Sequence, residues 1–286
     1  MKRIHTLAEC PVYVSTGAFI GRANGRDPRH FLSVADKLPC DGFECMLYDV
    51  WYERLDEVLD TFLSRGAVYP VLHVEKRIGE LVGDGEGGYY QRAMERFSLN
   101  CHAAKRLGAS TLVFHLWNGT PSDAHFDRHL RMCGDFLAMA KESGLTLAVE
   151  NVVCAYGSPL DHLEALAYEY PDVRFTYDTK MASFHREVND VFSPRYRFLF
   201  EKGYIAHLHI NDHGGAYRDF EGLRTLHIGE GCIDFDTFFD ELVKVGYTGA
   251  MTLECASVRE DGSLRAEDMC RSLGRVREYL QKETDK

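Results

Sequence analysis

The sequence predicts an α/β fold, a single (β/α)8 TIM barrel spanning residues 1–286. Four observations carry this. β-rich apolar runs alternate with helix-period segments from one end to the other, the pattern of parallel strands joined by crossover helices. Eight such runs are present. Most are continuously apolar rather than alternating, as strands covered on both faces are. A length of 286 residues suits one barrel domain.

The strands are expected at residues 12–19, 42–47, 69–74, 111–116, 145–151, 173–178, 205–210 and 250–255. Helical patterns fill the gaps. One spans Tyr89–Leu107 and stops at Gly108, and another spans 126–143 and stops at Gly144; glycine accepts the left-handed turn that ends a helix. Ser158-Pro159 opens a further helix, where the missing proline N–H costs nothing. Asp234 opens the seventh, and 265–282 supplies the eighth. The longest loop-like stretches are 76–88, with five glycines, and 212–230. Both follow strands, and both are expected to act as lids over the C-terminal ends of the barrel strands.

Composition narrows the function. A net charge of −11 argues against a nucleic-acid backbone as partner, since such contacts need a basic surface. No stretch approaches the ~18 apolar residues of a membrane helix, and residues 1–6 are followed by no apolar run, so a cytoplasmic location is expected. The nine cysteines are irregularly spaced, without a C-x-x-C pair, and read as reduced, mostly buried thiols.

The predicted strand ends carry an unusual set of polar residues: His73 and Glu75 on the third strand, His115 on the fourth, Glu150 on the fifth, Asp178 on the sixth, His207 and His209 on the seventh, Glu254 on the eighth. Each follows an apolar run, where a carboxylate is costly unless a charge or metal compensates it. Any one of them alone reads better as a helix cap or an arginine partner. Acidic or imidazole residues on four consecutive strands favour a divalent ion, and three carboxylates with one imidazole suit Mn²⁺, Co²⁺, Mg²⁺ or Zn²⁺.

The strings Ala148-Val149-Glu150-Asn151, Tyr177-Asp178-Thr179, His207-Leu208-His209-Ile210-Asn211-Asp212, His227-Ile228-Gly229-Glu230-Gly231 and Thr252-Leu253-Glu254 resemble the xylose isomerase-like barrel superfamily, in order and spacing over nearly the whole chain. That group includes sugar and sugar-phosphate isomerases and epimerases, inosose dehydratases and the endonuclease IV type of apurinic nuclease. The resemblance implies one metal ion held by Glu150, Asp178, His209 and Glu254, with Glu150 and Glu254 as base and acid. It implies an isomerase or epimerase working through a metal-stabilised enediolate of a small carbohydrate or polyol; a dehydratase is the alternative. A nuclease or a non-catalytic sugar-binding barrel stands further off. Met181, Leu223 and Thr225 stand where the nuclease branch holds further zinc ligands, which points to a single-metal site. His73 and His115 then fall to substrate binding or a second metal. Glu44, Lys180, His185, Trp117 and Arg218 are further substrate-contact candidates, and His207 reads as a hydrogen-bonded histidine deeper in the barrel. Pairing into a homo-oligomer is expected by the same resemblance.

Overall fold

The computed structural model describes residues 6–282. The reading of residues 1–6 falls almost entirely outside them. Eight parallel strands form a closed barrel in sequence order: β1 (Val12–Ser15), β2 (Gly42–Met46), β3 (Val71–His73), β4 (Thr111–Phe114), β5 (Thr146–Glu150), β6 (Arg174–Asp178), β7 (Ile205–His209) and β8 (Ala250–Leu253). The fold is the single (β/α)8 barrel that the alternating pattern predicts. Within the described residues no helix is long and apolar enough to cross a membrane. All nine cysteines are free thiols, and Cys10, Cys45, Cys101, Cys133, Cys154 and Cys255 are buried.

The chain falls into two compact units, Phe43–Tyr177 and the combination of Met1–Gly42 with Asp178–Lys286. In the first, β3 pairs with β4 so that His73 lies opposite Val113, and β5 pairs with β6 so that Glu150 lies opposite Thr176. Helices Tyr89–Leu107 and Phe126–Glu142 cover these strands. Phe97, Phe114 and Phe136 pack with ring centroids 4.8–5.4 Å apart, so burial of aromatic surface holds helix to sheet. Gly108 takes a left-handed φ of 75°, and Gly144 one of 72°, as the two predicted helix stops require.

In the second unit β1 pairs with β8 and β7 with β8, setting His207 opposite Ala250 and His209 opposite Thr252. Asp234 caps helix Phe235–Lys244 by accepting from Thr237 N at 3.1 Å. Helix Ala266–Lys282 closes the chain. Seven of the eight strands end earlier than predicted, and β6 ends at Asp178 as expected. Residues 16–18, expected in the first strand, form a 3-10 turn, because Ser15 Oγ accepts from Gly17 N and turns the backbone away.

One expectation is overturned. Residues 76–88 are not an open lid: Arg77–Asp84 is a helix. Its glycines serve close packing, not flexibility. A Cβ on Gly79 would overlap the backbone carbonyl oxygen of His115, and one on Gly83 would press on Pro121. Spaced four apart, they form one smooth helix face, a role that composition alone reads as loop. The stretch 212–230 is irregular, as expected. It is tied down by buried Asp212, whose carboxylate accepts from His213 N (2.8 Å), Gly229 N (2.8 Å), Gly231 N (2.9 Å) and Ile233 N (3.2 Å).

Candidate active site

In the Phe43–Tyr177 unit, His73, His115 and Glu150 converge. All are buried. Glu150 Oε2 stands 2.7 Å from His115 Nε2 and 3.4 Å from His73 Nε2. The far side of each ring meets an acceptor: His73 Nδ1 lies 2.9 Å from the Val74 carbonyl, and His115 Nδ1 lies 3.0 Å from Asn118 Oδ1. Each Nδ1 therefore carries a ring proton, and both Nε2 atoms face the carboxylate. Burial pushes the His115 pKa down to about 4, against the pull of Glu150. A neutral imidazole and a carboxylate oxygen at hydrogen-bond distance require a proton or a cation between them. The three donors form a group able to hold a metal ion.

In the other unit, Asp178, His209 and Glu254 converge. His209 Nδ1 lies 3.7 Å from Asp178 Oδ2 and 3.4 Å from Glu254 Oε2. Asn211 positions both carboxylate residues: its Nδ2 donates to Asp178 Oδ2 (3.0 Å), while its Oδ1 accepts from Glu254 N (2.8 Å). Asn211 is itself fixed through Thr179, whose hydroxyl donates to the Asn211 carbonyl at 2.6 Å. Asp178 Oδ1 accepts from Met181 N at 2.8 Å, so the same side chain caps helix Thr179–Phe184. His207 does not join the group by its Nε2, which lies 2.9 Å from Thr252 Oγ1.

The remaining candidates are distributed as follows. Glu44 is buried on β2. Lys180 is buried, and its ammonium donates to Thr225 Oγ1 at 3.1 Å. His185 is buried edge-on to Phe184. Arg218 lies on the 212–230 loop with a left-handed φ of 55°, its backbone N–H donating to the Phe184 carbonyl. Trp117 is fully buried; its indole N–H donates to the Val152 carbonyl at 2.9 Å, and Phe126 and His162 meet it edge-on. Outside that set, Tyr156 in the loop after β5 is exposed.

Sequence reasoning missed two further residues. Asp123 is buried and holds that β5 loop: Oδ1 accepts from Ala155 N (2.7 Å) and Tyr156 N (3.0 Å), Oδ2 from Gly157 N (2.6 Å) and His162 Nε2 (3.0 Å). These donors outweigh burial and hold the Asp123 pKa well below the usual carboxylate range. Asn118, three residues past His115, showed no periodic or motif signal. Asn211 was visible inside the His-Ile-Asn-Asp string, though not its role.

The family model described as xylose isomerase-like TIM barrel matches residues 32–275. No curated protein sequence matches the chain. Among solved structures, a D-tagatose 3-epimerase-like protein superposes with a TM-score of 0.70 at 17% identity, covering 96% of this chain and 98% of that one. The D-allulose 3-epimerase from Methylomonas sp. in complex with D-allulose gives 0.69 at 15%, covering 94% and 97%. The IOLI protein with a binding zinc atom gives 0.67 at 13%, covering 96% and 99%. With a family match over most of its length, the chain belongs to the xylose isomerase-like TIM barrels.

Proposed function

We propose that this protein is a divalent-metal-dependent isomerase or epimerase of a sugar or sugar phosphate, with Glu150, Asp178, His209 and Glu254 as metal ligands. The observation that carries the reading is the spacing around His209. Its Nδ1 stands 3.4 Å from the partly buried Glu254 carboxylate and 3.7 Å from the buried Asp178 carboxylate, farther than the roughly 2.9 Å of a direct hydrogen bond. Such a spacing leaves room for a cation that these side chains would hold between them. Glu150 ends β5, and the barrel order β5-β6-β7-β8 makes the four residues an unbroken series of strand ends. The sugar 3-epimerase names among the structural neighbours and the zinc of the IOLI protein support the same class.

When bound, the ion supplies a Lewis acid that polarises the carbonyl and adjacent hydroxyl of a polyhydroxy carbonyl substrate. Glu150 and Glu254 remove and return the proton on the neighbouring carbon. Asp178, braced by Met181 N and Asn211, and His209 would mainly hold the metal. His73 and His115 offer Nε2 lone pairs to substrate hydroxyls. Glu44, Lys180, His185 and Arg218 supply further polar contacts, and Lys180 donates to Thr225, which stands where the nuclease branch holds a zinc ligand.

The test is exchange of carbon-bound substrate protons with D₂O. Purified protein given Mn²⁺, Co²⁺, Mg²⁺ or Zn²⁺ is expected to exchange a proton next to the carbonyl of at least one member of a panel of free and phosphorylated ketoses and aldoses. No exchange on any member with any of the four ions sinks the reading.

A further inference from the structure

Helix Arg77–Asp84 lies on the backbone at the end of β4. Only a residue without Cβ permits that approach at position 79, where the helix meets the His115 and Leu116 carbonyls. The contact carries the next residue, Glu80, to the turn that follows His115. There Gly119 adopts a left-handed φ of 71°, and a Cβ would collide with the Glu80 side chain. Two glycines thus clear the space in which Glu80 Oε1 accepts from Asn118 Nδ2 at 2.8 Å.

A carboxylate only accepts, so the Asn118 amide must turn its nitrogen to Glu80 and its oxygen to His115. That oxygen also only accepts, so the His115 nitrogen 3.0 Å away, Nδ1, must hold the proton. The other ring nitrogen, Nε2, is left to face Glu150 Oε2 at 2.7 Å, as the end of the ring that accepts.

We propose that Glu80 and Asn118 are positioning residues: the relay Glu80–Asn118–His115 locks His115 in the Nδ1–H tautomer and makes its Nε2 a fixed acceptor beside Glu150. The site at Nε2 selects a ligand that brings a hydrogen or a positive charge, such as a substrate hydroxyl or a cation, and disfavours a carbonyl oxygen there. The catalytic meaning of the relay rests on the function proposed above; the relay itself does not.

The tautomer is read by long-range ¹H–¹⁵N correlation on protein labelled with [¹⁵N]histidine, without metal or sugar, the His115 signals being assigned by their loss in His115→Gln. Wild type is expected to show Nδ1 protonated, with Nε2 joined to Glu150 through a single shared proton. Asn118→Leu is expected to abolish that preference. Asn118→Asp, which sets a carboxylate against Glu80, is expected to disturb it, and the double variant Glu80→Gln/Asn118→Asp, in which the new amide donates to the new carboxylate, is expected to restore it. An Nε2–H tautomer in wild type overturns the proposal, as does an unchanged tautomer in Asn118→Leu. If the leucine variant does not fold, the aspartate pair decides: a double variant no closer to wild type than the single one overturns it. Absence of proton exchange alongside the expected tautomers counts against the proposed function and leaves the relay standing.

Discussion

Two histidine–carboxylate groups stand at strand ends in the two units, and they are built in opposite ratios. In the Phe43–Tyr177 unit two imidazoles share one carboxylate oxygen, with the nearer ring at hydrogen-bond distance. In the other unit two carboxylates flank one imidazole nitrogen at longer distances. The first group carries one formal negative charge and can be neutralised by a single proton. The second carries two, and burial makes that costly without a divalent ion. That charge balance favours the cation proposed above for the second group. The first is suited to a proton, a hydroxyl or a cation, because its ring protons are directed outward to Val74 and Asn118.

The largest effect expected from breaking this contrast is at the carboxylate the imidazoles share. Glu150→Gln should lower substrate proton exchange by about 10²- to 10⁴-fold, the range for losing a general acid or base, while the thermal transition stays cooperative. A comparable rate for the variant would reduce the first group to packing. The counterpart Asp178→Asn keeps an oxygen for the helix cap and removes one charge from the second group. Its weakened ion binding is to be read by chelator competition, with unchanged affinity speaking against the cation role.

Next in size is Gly79→Ala. In an open helix this change stabilises by up to about 1 kcal/mol. Here overpacking against the β4 backbone should destabilise by about 2–3 kcal/mol, measured by urea unfolding; a more stable variant would restore the picture of residues 76–88 as a loose lid.

The Asp123 clamp offers a pH test. Its carboxyl pKa is depressed in the folded chain by His162 and the 155–157 amides. A depressed acid contributes stability that is present above its unfolded pKa near 4 and is lost as pH falls through the lower folded value. Asp123→Asn should cost about 2 kcal/mol at neutral pH and flatten the decline of stability on the acid side. Identical acid limbs for variant and wild type would remove Asp123 from that role.

The smallest expected effect separates the two duties of Asp178. Asp178→Ala should be less stable than Asp178→Asn by about 1 kcal/mol, the worth of a helix cap. Equal stabilities would mean that the bond to Met181 N contributes nothing.

Much of this was legible in the residues. Continuous apolar runs such as Leu147-Ala148-Val149 mark strands covered on both faces, and Gly108 and Gly144 mark helix ends, because both signals arise from neighbouring residues along the chain. The polar residues ending those runs were equally visible, since a charge after an apolar strand has few bland explanations. The glycines of 76–88 misled for a physical reason: glycine serves flexibility and close approach alike, and only the surface it meets distinguishes the two. Asn118 and Asp123 gave no signal, since their partners Glu80 and His162 lie 38 and 39 positions away in sequence.

By itself, then, the sequence determined the eight-fold alternation, the strand-end residues and the family resemblance, all properties of local pattern and order. Tertiary structure alone decided which acceptor each histidine ring faces, which carboxylates meet which imidazoles, and that the glycine-rich segment is a helix pressed onto β4. Tautomer, charge balance and close packing depend on atoms brought together from distant positions, and no periodicity along the chain encodes those meetings.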